Sequence, residues 1–347
     1  MEAEVVHLDI IDEWLKSGAK PGFWFDDDDE HPEQGDALVD SISVASPDPQ
    51  PPETGAVTRR LPEHEIARFG EKGEYRLVMA VAEADRLACW RLVYQEYVAL
   101  GYVRPSALEY RYTLHDALPD TAAFLVERSG EAVGTVSVIP DSPLGLPADE
   151  SHPDALAQLH AAGRSPVEVG RLAIRKDCMN DRTVLVALFD ALSIYGRCVR
   201  RATDLVITVN PGHARYYERM LLFECLGEER ALGSVCGAPA VLLRLDLETA
   251  EGRYAQTYGA EEGSFFRFFI DAQTEQHVLA FLGQRGPGLS REDLLTYFEE
   301  RCPLLARATD SARRHVLGSH RVDESADAAG DAAMMACGAS AGVLGCP

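Results

Sequence analysis

Between residues 75 and 247 the spacing of apolar side chains switches repeatedly between a period of two and a period of about 3.6, and the order of those switches limits the fold. Residues 75–82 alternate as a strand. Residues 85–100 place Leu87, Trp90, Tyr94, Tyr97 and Val98 on one helical face, with Arg86 and Gln95 flanking it. Residues 122–127 and 132–139 read as strands joined by Ser129-Gly130, a hairpin signal. A Pro- and Gly-rich turn, 140–147, and a helical insert follow. Residues 167–174 form a further strand. Val184, Leu185, Leu188, Leu192, Tyr195 and Val199 mark a helix over 183–199. A buried strand, 205–209, closes at Asn210-Pro211-Gly212, and a short helix, 213–221, leads to a last strand, 240–247. Hairpins and strand–helix–strand crossovers in one chain imply an α/β fold of the α+β kind, with a sheet part antiparallel and part parallel.

The flanks differ from this core. Residues 1–73 hold 18 acidic and 6 basic side chains and include the run Asp26 to Glu30 and prolines 47, 49, 51 and 52. Such a segment buries too little apolar surface to offset its ordering entropy, so 1–73 is expected to be a flexible extension. One island, Val5 to Leu15 followed by Phe23-Trp24-Phe25, has amphipathic character. The structured core is expected over 74–249. A helical extension is expected over 250–322, with helices at 272–284 and 291–307, and an Ala-, Gly- and Ser-rich disordered tail over 323–347.

Charge narrows the partners. The net charge is -23, which disfavours nucleic acid, since phosphate binding needs clustered Lys and Arg. No run approaches the roughly 20 apolar residues of a membrane span, and the first ten residues lack the basic-then-apolar pattern of a signal peptide. The eight cysteines form no C-x-x-C pair, which fits reduced thiols, no bound metal and a cytoplasmic location.

Four strings inside the core carry a resemblance: Trp90 to Tyr97 followed by Gly101-Tyr102; Gly134 to Ser137 leading to Asp141 to Pro147; Val167 to Ala173; and Asn210-Pro211-x-His213-x-x-Tyr216-Tyr217. Their order and spacing resemble the FeeM-like N-acyl amino acid synthases of the GNAT superfamily, relatives of the acyl-homoserine-lactone synthases. The resemblance implies transfer of a fatty acyl group, expected to be long, from an acyl-phosphopantetheine thioester to the amine of an amino acid. It implies no permanently bound cofactor.

The residues bear on the donor. The turn after the strand ending at Ile174 reads Arg175-Lys176-Asp177-Cys178-Met179-Asn180-Asp181-Arg182. It has no glycine to let backbone N–H groups approach a CoA pyrophosphate, and its two aspartates would repel one. An acyl carrier protein, whose arm carries a single bridging phosphate, fits better than acyl-CoA. Arg175, Lys176, Arg182, Arg197, Arg200 and Arg201 give residues 164–201 a positive excess on which an acidic carrier could dock. Arg197, Arg200 and Arg201 also suit the end of a helix without any partner.

Candidate site residues follow from the resemblance. Glu168 would deprotonate the amine, with Arg171 keeping it ionised. In a regular strand the E-x-x-R spacing puts the two on opposite faces, unless a bulge, which Gly170 permits, brings them together. Backbone N–H groups at Leu172 and Ala173 would polarise the thioester carbonyl. Tyr217 would protonate the leaving thiolate, and His213 is a second candidate base or carboxylate ligand. Arg91 and Tyr94, on the first helix, would wall the acceptor side. Leu222 stands where the family usually has glycine, before Phe223. An acetyl-CoA-dependent N-acetyltransferase and a non-catalytic module that binds an acylated carrier remain alternatives.

Overall fold

The computed structural model describes residues 65–70, 73–178, 182–258 and 289–320. The N-terminal island, the expected helix over 272–284 and the expected tail lie outside the described residues. The strands are β1 (Glu65–Phe69), β2 (Tyr75–Met79), β3 (Ala122–Arg128), β4 (Glu131–Pro140), β5 (Pro166–Ile174), β6 (Asp204–Val209), β7 (Glu224–Cys225), β8 (Arg230–Leu232) and β9 (Ala238–Asp246). They form one mixed sheet in the order β1-β2-β3-β4-β5-β6-β9-β7, with β8 also paired to β9. Every pairing is antiparallel except β5 with β6, which is parallel.

The helices are α1 (Glu83–Ala99), α2 (Pro153–Ala161), α3 (Arg182–Ile194), α4 (Pro211–Met220), α5 (Leu247–Tyr258), α6 (Arg291–Leu295), α7 (Leu304–Arg307) and α8 (Asp310–Ser319). Single π-turns extend α3 over Tyr195–Val199 and α6 over Thr296–Arg301. Among the described residues no helix is long and apolar enough to cross a membrane.

Two cores flank the sheet. On one face α3, α4 and α5 pack Leu188, Leu192, Tyr217 and Tyr254 over Val136, Val167, Leu205 and Leu243. On the other, α1 lies between the sheet and the C-terminal helices. Its Leu92 and Val93 meet Ala173, while Trp90 enters a cluster with Tyr112, Tyr297 and Phe298. The periodicity of α1 suggests one buried face, but being covered on two sides it buries Cys89, Trp90, Leu92, Val93 and Tyr94.

Both domain boundaries shift from the sequence expectation. Glu65–Phe69, assigned above to the flexible extension, is an edge strand: Ile66 is buried and Glu65 is ion-paired with Arg68 at 2.9 Å. The chain beyond 249 is not merely appended. Tyr254 of α5 is fully buried, and Leu294, Phe298, Leu305 and Val316 complete the second core.

Candidate active site

Strands β5 and β6 pair only over Pro166, Val167 and Glu168 against Asp204, Leu205 and Val206. Beyond Glu168 both strands continue without pairing, so the sheet opens between them. A cavity of about 660 Å³ occupies the opening, within the usual range for small-molecule sites. Val169 to Leu172 line one side of the gap and Ile207 to Val209 the other.

Alternation along the strands assigns the lining to two faces. Val167 and Val169 of β5, and Leu205 and Ile207 of β6, belong to the core under α3 and α5. Toward that face the cavity is apolar, walled by Phe189, Leu192, Leu221, Phe223, Leu245 and Tyr254. Toward the other face it is polar, walled by Arg111, Thr113, His115, Asp149, Glu168 and Arg171. The gap joins the two lobes.

The bulge anticipated in β5 is present, one residue later than Gly170. Thr135 faces Ala173 but Ser137 faces Gly170, so β5 carries one extra residue across that interval. Arg171 absorbs it in the left-handed region, with φ 55°. The extra residue carries Arg171 to the polar face while Leu172 and Ile174 return to the apolar core. Glu168 and Arg171 therefore share a lobe. Leu172 lines the cavity within the bulge, and Ala173 is buried and back in register.

The two side chains are not an ion pair, which corrects the expectation. Arg171 donates to Asp116 Oδ1 at 2.6 Å and to Thr113 Oγ1 at 2.6 Å. Glu168 is only 5% exposed and accepts from the Ala148 backbone N–H at 2.7 Å. Burial pushes its carboxyl up to about 8, and neighbouring Asp149 adds to the rise. The Ala148 N–H and the more distant charge of Arg171 pull only partly in the other direction. Glu168 is thus a carboxyl that titrates near neutral pH rather than one held ionised.

On the far side of the gap, Tyr217 lines the cavity and stands edge-on to Phe223. Burial pushes its phenol up to about 12, so it holds its proton at neutral pH. His213 also lines the cavity, one turn earlier on α4. Its helix starts at Asn210, whose side chain caps Gly212 N–H at 2.9 Å. Leu222 keeps the left-handed backbone, φ 53°, that glycine would suit at that position.

Arg91 and Tyr94 do not reach the cavity. Arg91 donates to Tyr110 Oη at 2.8 Å and lies over that ring. Tyr94 braces the next loop, donating to the Ser106 carbonyl and accepting from its N–H. The wall role falls instead to Tyr97, further along α1, and to Leu100 at its C-cap. The sequence reading also missed Arg111, Thr113, His115 and Asp116. They lie in a loop and a single 3₁₀ turn, Leu114–Ala117, with no periodicity to mark them. A capping pattern, Thr113 with Asp116 three residues on, was the available signal.

The positive flank is largely compensated. Arg175 binds Asp177 at 2.6 Å and Glu131 at 2.8 Å, Arg200 binds Asp120 at 2.7 Å, and Arg197 lies 3.9 Å from Glu251. Three of those carboxylates, Glu131, Asp120 and Glu251, lie outside the 164–201 window in which the excess was counted. Lys176 and Arg201 are exposed, and Arg182 begins α3.

A mixed sheet whose one parallel pair splays around a cavity, with a helix after each splayed strand, has the architecture that the GNAT resemblance implies. Residues 88–246 match the family model of the N-acyl amino acid synthase FeeM, a span just under half of the chain. Among solved structures, FeeM, an N-acyl amino acid synthase from uncultured soil microbes, is 25% identical, with 51% of this chain and 93% of that one covered at a TM-score of 0.46. The AHL synthase LasI is 17% identical over 51% and 93%, at 0.38. The CoA-dependent acyl-homoserine lactone synthase BjaI is 14% identical over 54% and 90%, at 0.37. No curated protein matches the chain.

Proposed function

We propose that the protein joins a fatty acyl group, carried as a phosphopantetheine thioester, to the amine of an amino acid. The observation that carries this reading is the two-lobed cavity through the sheet, apolar on one face and polar around Glu168 on the other. A long acyl chain suits the apolar lobe and a charged acceptor the polar one, with the reacting carbonyl at the gap.

In this scheme Glu168, in its ionised form, takes a proton as the amine nitrogen attacks the thioester carbon. The C–N bond forms, the C–S bond breaks, and the departing sulfur takes the proton of Tyr217. The Leu172 N–H, within the β5 bulge, would face the developing oxyanion, whereas Ala173 is back in register with Thr135 and lies outside the cavity lining. The glycine-free turn after Ile174 supports an acyl carrier protein as donor over CoA. With most flanking arginines paired, Lys176 and Arg201 are the described cations open to such a carrier.

The test is turnover by purified protein with matched acyl-carrier and acyl-CoA donors of several lengths, with the amide identified by mass spectrometry. Long-chain amides of an amino acid, formed faster from the carrier thioester, are expected. Equal or better use of acetyl-CoA would overturn the reading.

A further inference from the structure

Acceptor recognition, within the acyl-transfer reading on which this inference rests, needs a group that tells an amino acid from a plain amine. The cavity is lined by two guanidinium groups, those of Arg171 and Arg111. Arg171 is committed to Asp116 and Thr113, both at 2.6 Å, and is largely buried. His115, in the same lobe, has its pKa lowered by burial and by Arg171, so it adds no cation.

Arg111 differs. Its side chain donates to a neutral group, the Ser234 carbonyl, at 2.7 Å. Among the described residues no carboxylate lies within ion-pair distance of it. A guanidinium has five N–H donors, so the single bond to Ser234 leaves most of its capacity, and a charge without a carboxylate partner, at the cavity wall. The backbone aims it there. Arg111 N–H donates to the Trp90 carbonyl at 3.0 Å, and Tyr112 is buried with its hydroxyl on the Tyr297 carbonyl at 2.5 Å. Alternation through this extended stretch turns residues 111 and 113 toward the cavity and residue 112 into the second core. Tyr97, Arg111, Arg171 and Glu168 all line this same cavity.

We infer that Arg111 selects the acceptor by pairing with the α-carboxylate of an amino acid whose amine faces Glu168. A planar fork suits a carboxylate, and the half-buried site keeps the pair from full solvent screening. The bond to Ser234 is the one Arg111 would loosen in exchange. The Gly233–Val235 turn would stay anchored by Glu150, which accepts from Ser234 N–H at 2.9 Å.

The experiment compares an amino acid with its own carboxamide as acceptors, for the full-length protein and for Arg111→Gln, Arg111→Lys and Glu150→Ala. The unaltered protein is expected to favour the acid by roughly 10- to 100-fold in kcat/KM. In Arg111→Gln that preference should collapse toward one, through a raised KM for the acid, and Arg111→Lys should recover part of it. Glu150→Ala should lower both acceptors in proportion and keep the preference. If Arg111→Gln lowers both acceptors alike, or Glu150→Ala abolishes the preference, Arg111 is only a latch for the turn and the inference fails. An unaltered protein that acylates amines without preferring the acid also refutes it. One that acylates no amine defeats the acyl-transfer reading itself.

Discussion

Replacing Glu168 by glutamine separates a catalytic carboxyl from a structural one, because the two roles predict opposite responses to pH. The carboxyl is buried and pushed up to about 8, against an ordinary 4.5, by desolvation. Only its ionised form can take a proton, so at pH 7 roughly a tenth of the molecules are competent. Turnover should rise about tenfold per pH unit up to neutrality and level off above roughly pH 9. Glu168→Gln should cut turnover by about 10²-fold or more and remove this component, leaving only the titration of the acceptor's own ammonium. Stability moves the other way. A carboxyl whose folded pKa is raised makes the native state bind more protons than the unfolded one. Its contribution is full below pH 4.5 and is lost as the pH rises through about 8. The linked cost, fully expressed above pH 8, is on the order of 5 kcal/mol, and glutamine escapes it. The variant should therefore melt near the unaltered protein at pH 5 and above it at pH 9. Rate profiles and thermal melts on the same preparations test both arms. A variant that is fully active, or that loses stability progressively as the pH rises from 5 to 9, would refute the reasoning.

Tyr217→Phe keeps the ring contact with Phe223 and removes the acid; kcat should fall about 10²-fold with the acceptor KM little changed, and a normal kcat would leave the ring a packing role. Asp116→Ala strands the Arg171 charge in a site where the pair is 10% and 4% exposed, and should cost about 3–5 kcal/mol in denaturant melts. Asp116→Leu combined with Arg171→Met should recover much of that stability but no turnover. Starting the chain at Glu74 removes β1 and bares the edge of β2, so it should lower solubility and thermal stability relative to a start a few residues before Glu65. Equal behaviour of the two truncations would show that β1 is dispensable.

The elements that carry long apolar periodicities were legible in the sequence. α1, α3 and the strands from β2 to β6 fall within a few residues of their expected places, and the mixed sheet follows from their order. β1, β7 and β8 are too short or too polar to show a period; they exist because neighbouring strands offer an edge. At the site, Glu168 and Tyr217 stood in recognisable strings, and both line the cavity. The partner of Arg171 was not legible, because Asp116 lies 55 residues away in a loop whose position depends on the second core. On α1, Tyr94 sits about one turn and Arg91 nearly two turns before Tyr97, and spacing alone does not say which turn borders an opening in the sheet. The docking arginines show a related limit: local charge counts omit carboxylates supplied by distant segments, such as Glu131 and Glu251.

The wall that carries Arg111, Thr113 and Asp116 is held in place by groups that enter the chain very late. Tyr112 donates to Tyr297, 185 residues onward, and the His320 ring meets the Ala117 carbonyl at 2.6 Å across 203 residues. Contacts of such sequence separation carry a large loop-closure cost and form slowly. During synthesis the central strands can pair well before the last helices leave the ribosome. The polar half of the site is therefore the last part to assemble, and a nascent chain should acquire acyl transfer only after its C-terminal helices have docked. Timing of activity against chain length during translation would then follow α8 rather than β9.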